Sequence, residues 1–154
     1  MKLTTLIIIV FSLFYSHNSI AQEDYEWNNM AFTLTDDFDV IRQGRNELIA
    51  EGDGIEISVE AFKDNEIDAD NMSDFTIALA ASLNLEEIDD VAELELNGLE
   101  GAYVEGYKNG DRIFLMGMID PDTDDNFVVI ITFDDEDDFA EKTAIFVLQS
   151  FRQQ

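Results

Sequence analysis

Two Asn-Gly pairs, Asn97-Gly98 and Asn109-Gly110, interrupt a stretch of otherwise alternating apolar and polar residues. The two central residues of a type I′ turn need positive φ, which Asn and Gly tolerate, so each pair predicts a tight antiparallel hairpin. "VAELEL" then turns at Asn97-Gly98 into "LEGAYVEGYK", with Leu94 and Leu96 pointing inward, and Asn109-Gly110 returns the chain through "DRIFLMGMI". The following run, "FVVIITF" at 127–133, is apolar on both faces and predicts a central strand covered on both sides. Strands joined in this way commit the second half of the chain to an antiparallel sheet.

The first half supplies further strands and then changes period. "MAFTLTDDF" and "DVIRQGRNELIAEG" predict short strands with turns near Asp36-Asp37 and Gly44, and "GDG" at 52–54 predicts another turn. In "IEISVEAF", Ile55, Ile57, Val59 and Ala61 face one way while Glu56, Ser58 and Glu60 face the other, as in a half-buried antiparallel strand. From Met72 the spacing of Met72, Phe75, Leu79 and Leu83 is helical, predicting a helix over 72–83. Asn71 with Asp74 resembles a capping box, which accounts for Asn71-Met72-Ser73 better than its match to a glycosylation sequon. "DDEDD" at 134–138 places acids where the macrodipole of a second helix, "FAEKTAIFVLQSF", favours them. The fold class that follows is α+β: an antiparallel sheet of about six to seven strands with two helices packed on it. The two helices argue against a closed eight-stranded barrel. With one proline, no repeat and no low-complexity linker, residues 22–154 should form a single domain.

The first 21 residues predict a cleaved signal peptide. Lys2, the apolar run "LTTLIIIVFSLF" and the small residues Ser19 and Ala21 at the −3 and −1 positions fit one. The run is short for a membrane span, and no cysteine is present to carry a lipid anchor. Cleavage would leave a soluble exported protein, periplasmic or extracellular, beginning at Gln22. It would also remove His17, the only histidine. Without His or Cys, the residues from Gln22 onward offer no thiol nucleophile, no histidine base and none of the usual zinc or copper sites. The formal net charge is −27, from 35 acidic and 8 basic residues. Such a chain repels phosphate backbones and anionic membrane surfaces, so nucleic-acid binding and membrane insertion are not expected. Solubility in a salty exterior, divalent-cation binding and a protein partner with a basic surface are the three readings the charge leaves open.

Three constellations bear on function. In "MIDPDTDDNFVVI" (118–130), Asp120, Asp122, Asp124 and Asn126 recur at every second position, as oxygen ligands do at the start of many calcium loops. The sixth position of an EF-hand loop is Asp125 instead of Gly and the twelfth is Ile131 instead of Glu, so only a weaker hairpin calcium site is conceivable; otherwise Asp-Pro-Asp-Thr makes an exposed turn. Trp27, Tyr103 and Tyr107, with Tyr25, offer aromatic rings with polar tips suited to a partner or ligand surface. Tyr103 and Tyr107 share a strand face with Gly101 and Glu105. Carboxylates are abundant, but no pair stands out in an apolar setting, and no enzymatic role is expected.

"FTLTDDFDV" near the start, "LELNGLEGAYVEGY" (94–107), "FVVIITF" (127–133) and the closing "AIFVLQSF" (144–151) together resemble the PsbP-like superfamily, which includes photosystem extrinsic subunits, a Ran-binding nuclear transport factor and DcrB-type small exported bacterial proteins. The turn at 35–38 departs from that pattern in lacking a proline. The resemblance implies a PsbP-like sandwich and a non-catalytic accessory or binding role, without a shared catalytic set to carry over. Calcium binding is the alternative expectation, and no other cofactor is implied.

Overall fold

The computed structural model describes residues 21–154; apart from Ala21, the leader expected over residues 1–21 lies outside the described residues. The chain runs through strands β1 (Gln22–Trp27), β2 (Met30–Thr35), β3 (Asp39–Gln43), β4 (Glu47–Gly52) and β5 (Ile55–Phe62) into helix α1 (Met72–Ser82). It continues through β6 (Ala92–Leu96), β7 (Leu99–Lys108), β8 (Asp111–Asp120) and β9 (Asp125–Asp134), then helix α2 (Asp138–Ser150) and the short β10 (Arg152–Gln153). The main sheet has seven strands in the order β3-β4-β5-β9-β8-β7-β6. All its pairings are antiparallel. A second sheet, of three strands in the order β1-β2-β10, was not anticipated from the sequence.

The strand expected to be central is central. β9 pairs with β5 on one side and β8 on the other, and its residues from Asn126 to Val129 are buried regardless of which face they point to. β8 is buried continuously from Ile113 to Asp120. This two-sided burial needs a layer on each face. On one face, Phe114, Met116 and Met118 of β8 and Phe127, Val129 and Ile131 of β9 share a core with Phe32 and Leu34 of β2 and Ala144 and Val147 of α2. On the other face, Leu115 and Val104 meet Ala80 of α1, and Ala102 and Ile119 meet Met72. Gly117 makes the second contact close: a Cβ there would lie 2.5 Å from the Thr76 hydroxyl oxygen and 2.9 Å from the Met72 sulfur. Glycine thus lets α1 settle directly on β8.

Local details explain the element ends. The expected hairpins form, with Asn97 and Asn109 at φ of 50° and 55° and Gly98 and Gly110 at 93° and 94°. The capping box sits one turn earlier than Asn71/Asp74. Asp68 accepts from the Asn71 N–H at 3.1 Å while the Asn71 side chain accepts from the Asp68 N–H at 3.0 Å, around the 3₁₀ turn Ala69–Asn71 that leads into α1. Asn71 spends its side chain there and makes no side-chain cap on α1. α2 is capped by Asp137, whose carboxylate accepts from the Phe139 and Ala140 N–H groups.

The tip of the β6–β7 hairpin is pinned to the end of α2. The Asn97 side-chain amide donates to the carbonyls of Gln149 at 3.2 Å and Phe151 at 2.9 Å, and the Gln153 N–H donates to the Asn97 carbonyl at 3.1 Å. Asn97→Ala should cost about 1–2 kcal/mol, from lost hydrogen bonds and because alanine tolerates the left-handed conformation less well than asparagine. Asn97→Gly keeps the turn and loses only the bonds, so urea unfolding should rank the two variants with alanine the less stable.

Candidate functional site: a groove between β6 and α2

Arg112 organises a polar network on the α2 face of the main sheet. Register places Arg112 opposite Tyr107, Phe114 opposite Glu105 and Met116 opposite Tyr103, so all six side chains share the α2 face. The Arg112 guanidinium donates from Nη2 to Glu105 at 2.6 Å and from Nη1 to Glu141 of α2 at 2.6 Å, with Asp135 at 3.5 Å. Its carbon sits 5.2 Å from the centroid of the Phe114 ring and 5.8 Å from that of Phe133, a cation–π arrangement. Burial opposes its charge, but hydrogen bonds to Glu105 and Glu141 prevail and hold its pKa above the ordinary arginine value. Glu105 spends both oxygens here, one on Arg112 and the other as acceptor for the Tyr103 hydroxyl. Burial first, then the neighbouring Glu105 carboxylate, pushes the Tyr103 phenol well above its ordinary value, so Tyr103 acts as a neutral donor.

Beside this network runs an open groove of about 450 Å³ between β6 and α2. Leu94, Tyr103 and Phe114 line its sheet side, and Ile145, Leu148 and Gln149 its helix side. Its walls are mainly apolar, with Arg112 and Glu105 of the network and Glu93 and Glu95 of β6 also lining it. Ile145, on the helix wall, is 39% exposed, one of five large hydrophobic side chains exposed among the described residues.

The expected aromatic set is divided. Tyr103 lines the groove; Tyr107 shares its sheet face but does not line it. Trp27 is 7% exposed and belongs to the core, its indole N–H donating to the Gly44 carbonyl in the β3–β4 loop at the opposite side of the sheet. Tyr25 stacks on Phe32 with centroids 5.9 Å apart. The residues the sequence reading missed are Arg112 and the α2 wall. The signal for Arg112 was available in part, since a cation two positions before Phe114 in an inward-facing series must find partners.

The four expected metal ligands do not converge. Asp120 pairs with Asp125 and Ile119 with Asn126, so Asp120 points to the α2 face and Asn126 to the α1 face. Asp120 is buried and accepts from the Asp122 N–H at 2.9 Å and from the Gln153 side-chain amide at 2.8 Å. The same amide donates to Asp122 at 2.6 Å, so a neutral donor from β10 joins these two carboxylates. Asp124 takes positive φ in the turn. Among the described residues no group of three or more His, Cys, Asp or Glu side chains is arranged to hold a metal ion.

A seven-stranded antiparallel sheet with one helix on each face and a small sheet completing the α2 side is the PsbP-like fold, and solved structures bear this out. The chain is similar to cyanobacterial PsbP from Synechocystis sp. PCC 6803, with TM-score 0.59 and 10% identity over 90% of this chain and 96% of that one. It is similar to the Ran-binding protein Mog1p of Saccharomyces cerevisiae, with TM-score 0.55 and 9% identity over 88% and 96%. LpqN of Mycobacterium tuberculosis, described as involved in cell envelope biogenesis, matches with TM-score 0.51 and 15% identity over 88% and 91%. A Bacteroides thetaiotaomicron structure matches at TM-score 0.50 and 14% identity over 82% of this chain, which spans only 45% of that one. At these identities the likeness establishes the fold. No family model matches the sequence, and no curated protein matches it.

Proposed function

We propose that this protein is an exported, non-enzymatic accessory module that binds a protein partner through the groove between β6 and α2. The observation that carries this reading is the groove itself: a mainly apolar channel lined by an exposed Ile145 and bordered by the Arg112–Glu105–Tyr103 network, on a chain of net charge −27. Apolar lining supplies contact area, while the surrounding carboxylates select a partner segment carrying lysine or arginine and speed its approach. The Ran-binding description of Mog1p and the envelope-biogenesis description of LpqN are in keeping with such a role. Among the described residues no helix is long and apolar enough to cross a membrane.

The test is an amide-shift titration with short cationic peptides, with and without leucines, against acidic controls. Leucine-bearing cationic peptides should perturb Leu94, Tyr103, Ile145 and Leu148 together. Binding should weaken strongly toward molar salt, where the screening length falls to about 3 Å. Perturbations spread evenly over the acidic surface, or none, would reject the groove. For export, mass spectrometry of the secreted product should find an N-terminus at Gln22.

A further inference from the structure

The geometry points to strand addition as the binding mode of this groove: a partner segment of alternating apolar and basic residues pairs with the free edge of β6. The inference rests on the partner-binding reading above and specifies its occupant. β6 ends the main sheet, and among the described residues no strand pairs with its outer side. Leu96 and Leu99 flank the two-residue turn, so they exchange both backbone hydrogen bonds, and the bonding alternates along the ladder. Leu94 and Ala92 therefore bond to β7, and the N–H and C=O groups of Glu93 and Glu95 point out of the sheet. The other end of the main sheet is less suited, because β3 carries an irregularity between Val40 and Arg42 where β6 pairs in unbroken register. Such irregularities turn an edge away from new pairing.

Two grooves flank the β6 edge and share Glu93, Leu94 and Glu95 in their linings. On the α2 face lies the apolar channel already described. On the opposite face an open groove of about 420 Å³ is lined by Asp70, Glu93, Glu95 and Glu100, with no cation among its lining residues. A strand's side chains alternate between faces, so a segment laid along β6 would place every second residue in the apolar channel and the others among four carboxylates. The matching occupant reads apolar–basic–apolar–basic over about five residues, the length of β6. Asp89, whose N–H is fixed to the Glu105 carbonyl at 3.0 Å, adds a carboxylate on the approach to β6. A second copy of this chain is a poor occupant, since edge-to-edge pairing would set Glu93 and Glu95 against their own counterparts.

A seven-residue peptide of alternating leucine and lysine is the probe, compared with a peptide of the same composition with all leucines first and with one N-methylated at alternate backbone positions. The alternating peptide should bind, slow hydrogen exchange at the Glu93 and Glu95 amides, and lose about tenfold or more in affinity on N-methylation of the positions facing β6. Glu93→Lys/Glu95→Lys, at exposed positions, should weaken it comparably and flatten its salt dependence while leaving the melting temperature close to the parent's. Equal binding by the block peptide at Leu94 and Ile145, with no exchange protection, overturns strand addition and leaves the groove reading standing. Absence of binding by either peptide overturns both. A free protein that sediments as a dimer with its β6 amides already protected overturns the inference in favour of self-pairing.

Discussion

Phe114→Ala should destabilise the protein by about 3–5 kcal/mol, the range for removing a fully buried aromatic ring that leaves a cavity. Phe114 is 2% exposed and packs edge-on against two rings, Phe133 at 4.8 Å and Tyr103 at 5.7 Å between centroids. It also lies beneath the Arg112 guanidinium. Truncation removes transfer free energy, two aromatic pairs and the apolar support of a half-buried cation at once. The surroundings can collapse little, because β8 is held between β7 and β9 along its whole length. Phe114→Leu retains most of the volume and should cost only about 1–1.5 kcal/mol. In urea the midpoint should fall with an unchanged slope. A loss below about 1.5 kcal/mol for the alanine variant would mean that the groove wall refills, and that Tyr103 and Arg112 are not held where the structure places them.

The framework is legible in the sequence for reasons that are local. The Asn-Gly turns fix hairpin register, and the doubly apolar run 127–133 is the middle strand because both its faces must be covered. What stayed hidden depends on contacts distant in sequence. β10 consists of two residues, and nothing in "RQ" shows that it pairs with Ala31 and Met30 at the other end of the chain. With no strand expected over residues 22–27, Trp27 reads as a surface residue when it is in the core. The alternation through 120–126 breaks at the turn. Asp120 pairs with Asp125 across four intervening residues, so even positions of β8 face odd positions of β9. A pattern that looks continuous through 120, 122, 124 and 126 therefore changes face at the turn. The acidic composition concealed the site in another way. With 35 carboxylates in the chain, no pattern singles out Glu105 and Glu141 as those that Arg112 selects. Tertiary register alone brings a strand and a helix residue to one guanidinium.

Arg112→Met should cost about 2–3 kcal/mol, less than the 3–5 typical of breaking a fully buried pair, because solvent partly screens this one. Arg112 is 22% exposed at its side chain, Glu105 23% and Glu141 36%, so the network is sheltered on most sides without being sealed. Methionine keeps the stem packed on Phe114 and Phe133, which isolates the loss of charge from the loss of volume. Glu105 and Glu141 are then left facing each other's charge beside an apolar wall. Glu105→Gln in the Arg112→Met background should accordingly restore part of the loss, whereas Glu105→Gln alone should destabilise. That sign reversal is the signature of a coupled network, and additive effects would show that the three groups act independently. The pH dependence follows from the raised arginine pKa. A cation whose folded-state pKa lies above its unfolded value contributes fully below the unfolded value and is lost only as pH rises through the folded one. Both values lie far above neutrality, so Arg112's charge contributes at a constant level between about pH 6 and 9. Over that window urea unfolding should give the same difference between the parent protein and Arg112→Met, and a difference that vanishes within it would contradict the assignment of Arg112 as the permanent charge around which the groove is built.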